Sequence, residues 1–351
     1  MPNRKLVILS YAFAPSIGGI ETVGRILARV FARRGYQVVV ITHTPGGETE
    51  AHEPYRVLRR PAKGAFIAEI RGSDIVLQSN ISLRLGWPLW LLFPRKPFVL
   101  VVHTPISRSN GRLAFADRLK RALLKRAYFL CVSKYLADTI QPGARVIHNP
   151  YEDTIFRQIP GTGRTGDLLF VGRLVPAKGP DNLLRGFAAV LSRRPQTTLS
   201  IVGSGPEERP LRDLARSLGI EHSVHFLGPS QGSELAEIMN RHKILVIPSR
   251  PAPPEALGIV AVEGIACGCV PVASRMGGLP EAVGEAGVLF EEGNCDELAG
   301  ILLRLLDSPA LLEQYRARGP SQLTRFQPER VADAYEAHFA ACGLKASLEP
   351  A

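Results

Sequence analysis

The sequence predicts an α/β protein built from two Rossmann-like domains with parallel sheets. A chain of 351 residues is too long for one compact core. Short β-rich runs alternate with longer helical patterns, and a glycine-rich stretch at 160–166 interrupts this alternation once. Apolar residues make up 45% and charged residues 21%, as in an ordinary globular protein. We therefore expect two α/β halves, one linker and a terminal helix.

The first half contains a regular series of strands and helices. It opens with a strand over Leu6–Ser10, a helix over Glu21–Arg34 that Gly35 ends, and a strand over Gln37–Thr42. Further strands are predicted over 74–78, 98–103, 129–133 and 145–148, with helices over 116–127 and 135–140.

A second series begins at Asp167. Its strands are predicted over 168–172, 199–203, 224–227, 244–248 and 270–273. A final helix over about Pro328–Cys342 has apolar residues at helical spacing and should pack on another element. The predicted domains span residues 1–160 and 161–327, and the helix with its tail follows over 328–351.

One motif in the glycine-rich stretch is interpreted as a false match. Gly161, Gly163 and Gly166 fit G-x-G-x-x-G letter for letter. A dinucleotide-binding loop must follow a strand and open a helix, whereas this one follows a loop and precedes a strand. A linker is favoured over a cofactor loop.

Cysteine usage and hydropathy predict a soluble or peripheral cytoplasmic protein. The cysteines are odd in number and scattered, as core thiols in a reducing compartment would be: Cys131, Cys267, Cys269, Cys295 and Cys342. We see no signal peptide and no apolar run near the roughly 20 residues that span a bilayer. The longest candidate, residues 86–94, is short and contains prolines near both ends.

The positive charge is confined to the first half. Residues 1–150 contain 23 Lys and Arg against 8 Asp and Glu, a balance of +15, whereas the remainder contains 20 against 24, a balance of −4. This asymmetry indicates that the first half meets an anionic partner.

The first strand leads directly into a segment that suits an anionic ligand. Gly18 and Gly19 let the backbone approach a ligand closely, and the helix that follows offers N–H groups at its start. A tight turn alone would account for the same residues.

A stronger signal opens the second half. Its first strand ends at Gly172, and Arg173 and Lys178 flank a short loop before a helix that Pro180 could begin. Cations at the carboxyl end of a parallel strand face the crevice where α/β folds bind ligands. There they could neutralise a diphosphate, most strongly as charge builds on a leaving group. Two solvated side chains on a loop are the alternative.

Two carboxylates follow at a spacing of eight residues. Glu255 and Glu263 would lie on nearly one face of a helix. The apolar residues between them predict that Glu263 is buried, where an unpaired carboxylate is costly. Sugar or ribose hydroxyls are natural donors to it, and capping of a neighbouring loop is the alternative. Farther along, Gly277–Gly278 repeats the pair of glycines before a helix.

Taken together, these sequence motifs resemble those of the GT-B-fold retaining glycosyltransferases of family 4, also called glycosyl transferases group 1. The first half matches more loosely than the second, and it has Pro150, Tyr151 and Glu152 where the family usually has Gly, an aliphatic residue and Asp. This departure concerns hinge geometry more than chemistry. The phrases in family order and spacing are Gly18-Gly19-Ile20-Glu21, His103, Val132-Ser133-Lys134, His148-Asn149-Pro150, Val171-Gly172-Arg173, Lys178-Gly179, Gly203-Ser204-Gly205-Pro206, Phe226-Leu227-Gly228, Pro248-Ser249, Glu255 with Glu263, and Gly277-Gly278.

The resemblance implies two domains facing a central cleft, an acceptor-binding domain over 1–160 and a nucleotide-sugar-binding domain over 161–327. The C-terminal helix within 328–351 would pack back on the N-terminal domain. It implies an enzyme that transfers a sugar from a UDP- or GDP-sugar with retention, without a cofactor or bound metal, and the sequence contains no Asp-x-Asp. The acceptor would be lipid-linked or a precursor of a cell-envelope polysaccharide.

The resemblance also implies roles for individual residues. Arg173 and Lys178 would bind the diphosphate, Glu255 the transferred sugar and Glu263 the ribose. His103 would lie near the reacting centre, and a hydrogen-bonded histidine at a strand end is the alternative. The implied catalytic residues are His103, Arg173, Lys178 and Glu255. The implied donor-binding residues are Gly18, Gly19, Gly172, Arg173, Lys178, Glu255, Gly258, Ile259, Glu263, Gly277, Gly278 and Leu279.

A basic segment in the first half predicts a peripheral membrane contact. A basic amphipathic helix favours anionic membrane surfaces, and tryptophans favour the interface. A solvated basic face with both tryptophans in the core is the alternative, and nucleic acid is disfavoured because no aromatics interleave with the charges. The residues concerned are Trp87, Trp90, Arg118, Lys120, Arg121, Lys125 and Arg126.

Two other functions are compatible with the fold. A sugar-nucleotide epimerase would consume donor without an acceptor, and the spacing of Glu255 and Glu263 favours the transferase. A non-catalytic nucleotide-sugar-binding protein would show decay of the donor site, whereas Arg173, Lys178 and both glutamates are present.

Overall fold

The structure is a computed structural model that describes residues 4–16, 18–46, 53–105, 124, 127–251 and 254–344. The chain divides into two units. The first domain comprises Met1–Tyr151 together with Phe326–Ala351, and the second domain comprises Glu152–Arg325.

The first domain contains a seven-stranded parallel sheet in the order β3-β2-β1-β4-β5-β6-β7. The strands are β1 (Lys5–Ser10), β2 (Gln37–Thr42), β3 (Arg56–Arg59), β4 (Ile75–Ser79), β5 (Val99–Val102), β6 (Tyr128–Cys131) and β7 (Arg145–Val146). The described helices are α1 (Gly19–Arg33), α2 (Lys63–Arg71), α3 (Leu83–Leu91), α4 (Lys134–Ile140) and, from the end of the chain, α12 (Pro328–Ala341).

The second domain contains a six-stranded parallel sheet in the order β10-β9-β8-β11-β12-β13. The strands are β8 (Gly166–Val171), β9 (Leu199–Val202), β10 (Val224–Gly228), β11 (His242–Ile247), β12 (Val270–Ser274) and β13 (Val288–Phe290). The helices are α5 (Pro180–Arg193), α6 (Glu208–Ser217), α7 (Gly232–Asn240), α8 (Ile259–Ala266), α9 (Leu279–Val283), α10 (Cys295–Asp307) and α11 (Pro309–Leu323).

The central strands of both sheets are apolar runs covered on both faces. Leu6–Leu9 in β1 and Val99–Val102 in β5 are at most 1% exposed, as expected where helices cover a parallel sheet. The predicted fold class, two Rossmann-like domains with parallel sheets, is confirmed. Within the described ranges, no helix is both long enough and apolar enough to cross a membrane.

The C-terminal helix packs on α1 of the first domain, as predicted. The ring of Phe31 lies 6.2 Å from that of Tyr335 and 5.9 Å from that of Phe339. At the surface, Arg34 donates hydrogen bonds to Glu329 at 3.0 Å and Glu336 at 2.7 Å. Apolar contacts bordered by ion pairs thus hold α12, at the end of the chain, against the first domain.

The boundary between the domains lies at Tyr151 rather than at residue 160. The backbone N–H of Ile159 donates to Oδ1 of Asn240 at 2.8 Å, and Arg164 donates to the carbonyl of Cys267 at 2.7 Å. These contacts attach the glycine-rich stretch and the residues before it to the second domain. The stretch at 160–166 is therefore part of the second domain and not a linker between the domains.

In each sheet the strand order reverses once, between β1 and β4 in the first domain and between β8 and β11 in the second. Open parallel sheets bind ligands beyond the carboxyl ends of their strands at such a switch point. The loops after these four strands are therefore where the site residues are best sought.

Candidate functional site

The loop after β8 is tightly apposed to the loop after β11. A 3₁₀ turn over Pro176–Lys178 ends at Gly179, whose φ is 62°. A Cβ atom at Gly179 would overlap the carbonyl oxygen of Pro248. Only glycine therefore allows both the left-handed backbone and this close approach.

Side chains join the same two loops. Nζ of Lys178 forms an ion pair with Oε1 of Glu255, and the hydroxyl of Ser249 donates to that oxygen at 3.1 Å. The side chains of Lys178 and Glu255 are 27% and 17% exposed. The pair is partly shielded from water yet open to a ligand.

Arg250 holds the loop after β11 in place. Its guanidinium donates to the carboxylate of Asp181 at 2.7 Å and to the side-chain amide of Asn182 at 2.9 Å, both in the first turn of α5. Its backbone N–H donates to the carbonyl of Ala177 at 2.8 Å. Sequence reasoning did not single out Arg250, because its partners lie about 70 residues away.

The paired glycines after β12 form the third side of the site. The backbone N–H of Gly278 donates to the carbonyl of Glu255 at 2.9 Å. A Cβ atom at Gly277, whose φ is 55°, would overlap that carbonyl oxygen, and one at Gly278 would overlap the carbonyl of Ala256. The absence of side chains here lets the backbone of Glu255 rest directly on the loop. Leu279, the next residue, is buried and begins α9.

Glu263 lies in α8, which begins at Ile259 directly after Gly258 and is largely buried, as predicted. Its side chain is only partly accessible, and no described residue hydrogen-bonds to it. Burial raises the pKa of this carboxyl group to about 8. A ligand that donates hydrogen bonds to this group would stabilise its charged form.

Arg173 directly follows Gly172 at the end of β8 and is exposed. No carboxylate in the described ranges forms an ion pair with it. Lys178, Glu255 and the Gly277–Gly278 loop are brought together by contacts, and Arg173 lies on the same loop as Lys178.

In the first domain, Gly18 and Gly19 lie at the start of α1, and His103 lies at the end of β5. Gly18 is extended, with φ 171°, and α1 begins at Gly19. His103 follows β5 and is buried, and its backbone N–H donates a hydrogen bond to Oδ1 of Asn80 at 2.7 Å. Burial lowers the pKa of its imidazole to about 4, while the side chain of Asn149 opposes this shift. The ring is therefore neutral near pH 7.

The tryptophans do not form the surface anchor that the sequence predicts. Trp90 is buried with its ring 4.9 Å from that of Phe98, and the half-buried Trp87 packs on Phe66 at 6.3 Å. Trp90 therefore belongs to the core, and one side of Trp87 is covered by Phe66. The predicted basic residues of this surface, Arg118, Lys120, Arg121, Lys125 and Arg126, lie outside the described residues.

Two family models together match nearly the whole chain. One, described as Glycosyl transferases group 1, matches residues 152–322, and the other, Glycosyltransferase Family 4, matches residues 17–154. A D-inositol 3-phosphate glycosyltransferase of Corynebacterium jeikeium (strain K411) is 37% identical over 309 residues, which cover 77% of this chain and 73% of that protein. The chain belongs to the family 4 glycosyltransferases.

Other relatives match over less of their length. A D-inositol 3-phosphate glycosyltransferase of Rhodococcus erythropolis (strain PR4 / NBRC 100887) is 40% identical over 173 residues, 47% of this chain. The chain covers 38% of that relative and 46% of the same-named protein of Rhodococcus opacus (strain B4), so it spans less than half of either.

Several solved structures share the fold. Anabaena Alr3699/HepE, crystallised in complex with UDP and glucose, has a TM-score of 0.79 at 22% identity, over 96% of this chain and 100% of that one. A glycosyltransferase from Rickettsia africae ESF-5 has a TM-score of 0.80 at 16% identity, over 99% and 100%. These likenesses identify the fold of this family 4 member as GT-B.

Proposed function

We propose that this protein transfers a sugar from a UDP- or GDP-sugar to an acceptor hydroxyl, with retention of anomeric configuration and without a bound metal. The observation that carries the proposal is the ion pair of Lys178 with Glu255 at the switch point of the second sheet. It joins a cation suited to a diphosphate with a carboxylate suited to sugar hydroxyls. The complex of Anabaena Alr3699/HepE with UDP and glucose supports a UDP-sugar in particular.

Binding of the donor would break this ion pair, because the donor diphosphate would replace Glu255 as the partner of Lys178. A diphosphate beside Lys178 and Arg173 would take over the ammonium group, because it carries more negative charge than one carboxylate. Glu255 would then be free to accept hydrogen bonds from the sugar. The amides and carbonyls of the Gly277–Leu279 loop would face the same ligand.

The ribose would be held by Glu263. Two vicinal hydroxyls can donate to one carboxylate, and such bonds stabilise its charged form. The raised pKa of Glu263 in the free protein fits this role, since none of the described residues donates a hydrogen bond to its carboxyl group.

Transfer would proceed by departure of the nucleoside diphosphate. The bond between the sugar C1 and the phosphate oxygen breaks, and the negative charge that develops on that oxygen is stabilised by Arg173 and Lys178. The acceptor hydroxyl forms the new bond from the same face, which retains the configuration. His103, neutral near pH 7, would offer a hydrogen bond to the sugar or the acceptor. An inverted product would contradict this mechanism.

A thermal-shift screen with UDP, GDP, ADP and their sugar conjugates, performed in EDTA, tests the donor site. A ligand present at a hundred times its Kd should add roughly 2.7 kcal/mol to the free energy of unfolding. We expect one nucleotide to produce a clear shift that Lys178→Ala and Glu263→Ala abolish.

Lys243→Ala is the matched control. Lys243 pairs with Asp167 at 2.6 Å, at the amino ends of β11 and β8, the opposite edge of the same sheet. The control should keep the full nucleotide shift. No shift with any nucleotide would contradict the proposed function and favour a non-catalytic protein.

A further inference from the structure

Asn80 joins the ends of two neighbouring strands, β4 and β5. The regular pairing of these strands ends with Ser79 and Val101. The backbone N–H of Asn80 then donates to the carbonyl of Val101 at 2.8 Å, and Oδ1 of Asn80 accepts the backbone N–H of His103 at 2.7 Å. The side-chain oxygen thus acts as a backbone carbonyl would in a longer strand, and it extends the contact between the two strands as far as His103.

The backbone conformation of Asn80 makes this contact possible. Its φ is 57°, in the left-handed region, where asparagine is among the few non-glycine residues that are enriched. The chain leaves β4 at this residue and turns towards α3, whose N-cap is Ser82. Such a conformation persists only where the surroundings enforce it, and it is concentrated at functional sites. The two hydrogen bonds between Asn80 and residues 101–103 are contacts that hold it here.

The segment that Asn80 contacts is also fixed from its other side. The carbonyl of Val102 accepts the backbone N–H of Val132, which follows β6, at 3.3 Å. His103 is only 4% exposed, so its backbone N–H has little access to water. Without Oδ1 of Asn80 this donor would be buried and unpaired, which is costly. The loop after β5 would then have to move to satisfy it.

The environment of the imidazole of His103 depends on where this loop lies. Burial lowers the pKa of the ring to about 4, and the side chain of Asn149 opposes this shift. The ring stays enclosed only as long as the backbone of His103 keeps its position. That backbone is where Asn80 acts.

We infer that Asn80 is a positioning residue, which holds the backbone of His103 so that the imidazole keeps the place it needs in sugar transfer. Asn80 acts on the reaction through His103 and needs no contact of its own with the substrate. This inference rests on the proposed function, in which His103 contributes a hydrogen bond, and it deepens that function by adding a residue from a different strand.

Histidine NMR of the full-length protein tests the position of the ring. Asn80→Gly suits the test, because glycine adopts the left-handed conformation without strain and lacks only the acceptor oxygen. In the wild type the ring of His103 should stay neutral down to about pH 5. In Asn80→Gly we expect its pKa to rise by about one pH unit or more, because the ring is less enclosed. The signal of His103 is identified by its loss in His103→Gln.

Turnover distinguishes a positioning role from a purely structural one. It is followed as hydrolysis of UDP-glucose to glucose and UDP. Asn80→Gly should lower kcat about tenfold or more, because small displacements of a positioned group are costly, and should leave the Kd of UDP within about threefold. In a His103→Gln background the same substitution should cause no further loss of kcat, because Asn80 acts through that side chain.

Asn80→Asp is the conservative variant, because it keeps the acceptor oxygen. It should restore most of the kcat that Asn80→Gly loses. Its charge would itself raise the pKa of His103, so only turnover is compared for this variant. Asn80→Ser, whose hydroxyl lies on a shorter side chain, provides both readouts if Asn80→Gly fails to fold.

Asn294→Gly is the matched control. Oδ1 of Asn294 likewise accepts a backbone N–H, that of Glu297 at 3.0 Å, at the start of α10 in the second domain. The control should lower Tm slightly and leave both kcat and the pKa of His103 unchanged. Circular dichroism verifies that each variant is folded.

Two results would overturn the inference. One is a pKa of His103 in the folded Asn80→Gly variant equal to that of the wild type. The other is a further loss of kcat when Asn80→Gly is added to His103→Gln, because Asn80 would then act independently of the ring. Failure of the proposed function is seen separately: the wild type would neither bind UDP nor hydrolyse UDP-glucose, whereas the NMR comparison would still report on Asn80.

Discussion

The ammonium group of Lys178 and the hydroxyl of Ser249 meet at one carboxylate oxygen, Oε1 of Glu255. The three side chains come from two loops that follow the neighbouring strands β8 and β11. Because the other carboxylate oxygen has no hydrogen bond to the described residues, Glu255 retains capacity to accept one from a ligand. This relationship predicts that the two members of the ion pair serve different parts of the donor.

Substitutions of Lys178 and Glu255 should affect binding of the diphosphate and of the sugar separately. Lys178→Met removes the cation and should weaken UDP and UDP-sugar alike by about 10- to 100-fold, since hydrogen bonds to charged groups contribute about 1.5–3 kcal/mol. Glu255→Gln keeps the shape and removes the charge, so it should impair the UDP-sugar and sugar transfer by a similar factor while UDP binds normally. Calorimetry with UDP and UDP-glucose measures both effects. Equal losses for UDP in both variants would refute the division of roles.

The pKa of Glu263 gives the free protein a specific pH dependence. A carboxyl pKa raised to about 8 means that the folded protein keeps a proton that the unfolded chain loses above pH 4.5. The protonated carboxyl group of Glu263 therefore favours the folded state below pH 4.5, and this contribution to the free energy of unfolding is lost as the pH rises to 8. Glu263→Gln should therefore stabilise the free protein relative to the wild type at pH 8 but much less at pH 5, as measured by urea unfolding.

The same carboxyl group should release a proton when the nucleotide binds. Ribose hydroxyls favour the charged form, so UDP should lower the pKa of Glu263 and expel a proton at pH 7. Calorimetry in two buffers of different ionisation enthalpy measures this release, and Glu263→Gln should reduce it. An equal release in the variant would mean that the ribose does not contact Glu263.

The pH dependence of stability that His103 causes should be opposite to that of Glu263. Its pKa is lowered from 6.5 to about 4, so the unfolded chain takes up a proton first as the pH falls. The neutral ring of His103 stabilises the folded protein above pH 6.5, and this stabilisation is lost as the pH falls through 4. The free energy of unfolding should fall by on the order of 3 kcal/mol over this range. His103→Gln should flatten this loss in urea unfolding between pH 7 and 4.5. The exposed His225 is the control, and His225→Gln should follow the wild type; identical profiles for both variants would contradict the prediction.

The contact between Gly277 and Glu255 should be sensitive to a single methyl group. Gly277→Ala introduces a Cβ atom against the carbonyl oxygen of Glu255 in addition to a left-handed backbone. Gly293→Ala imposes the same kind of backbone, with φ 78°, in open space, and should cost about 1–2 kcal/mol. Thermal unfolding should show a clearly larger loss for Gly277→Ala, together with weaker binding of UDP-glucose. Equal losses would mean that the loop can move away without cost.

Much of the fold is predictable because buried parallel strands are continuous apolar runs. Leu6–Leu9 and Val99–Val102 identify their strands without any other information. The strand Arg56–Arg59 escapes prediction because it lies at the sheet edge and has arginines at both ends. The helix Leu83–Leu91 escapes because it contains Pro88, a residue typical of helix ends.

The site is less predictable, because its contacts join distant parts of the chain. The sequence indicates Lys178 and Glu255 separately, but nothing local reveals that they pair across 77 positions. Asn80 likewise resembles an ordinary loop asparagine. Only the pairing of β4 with β5 brings its side chain to the backbone of His103, and that pairing is a property of the whole sheet.

We propose that a nucleotide-sugar binds to the loops after β8, β11 and β12. Hydrogen–deuterium exchange of the full-length protein with and without UDP-glucose measures this most directly, without any substitution. We predict slower exchange at 172–179, 255–263 and 277–281, the three segments that meet around Lys178 and Glu255. Unchanged exchange in all three segments at a saturating concentration of UDP-glucose would contradict binding at these loops.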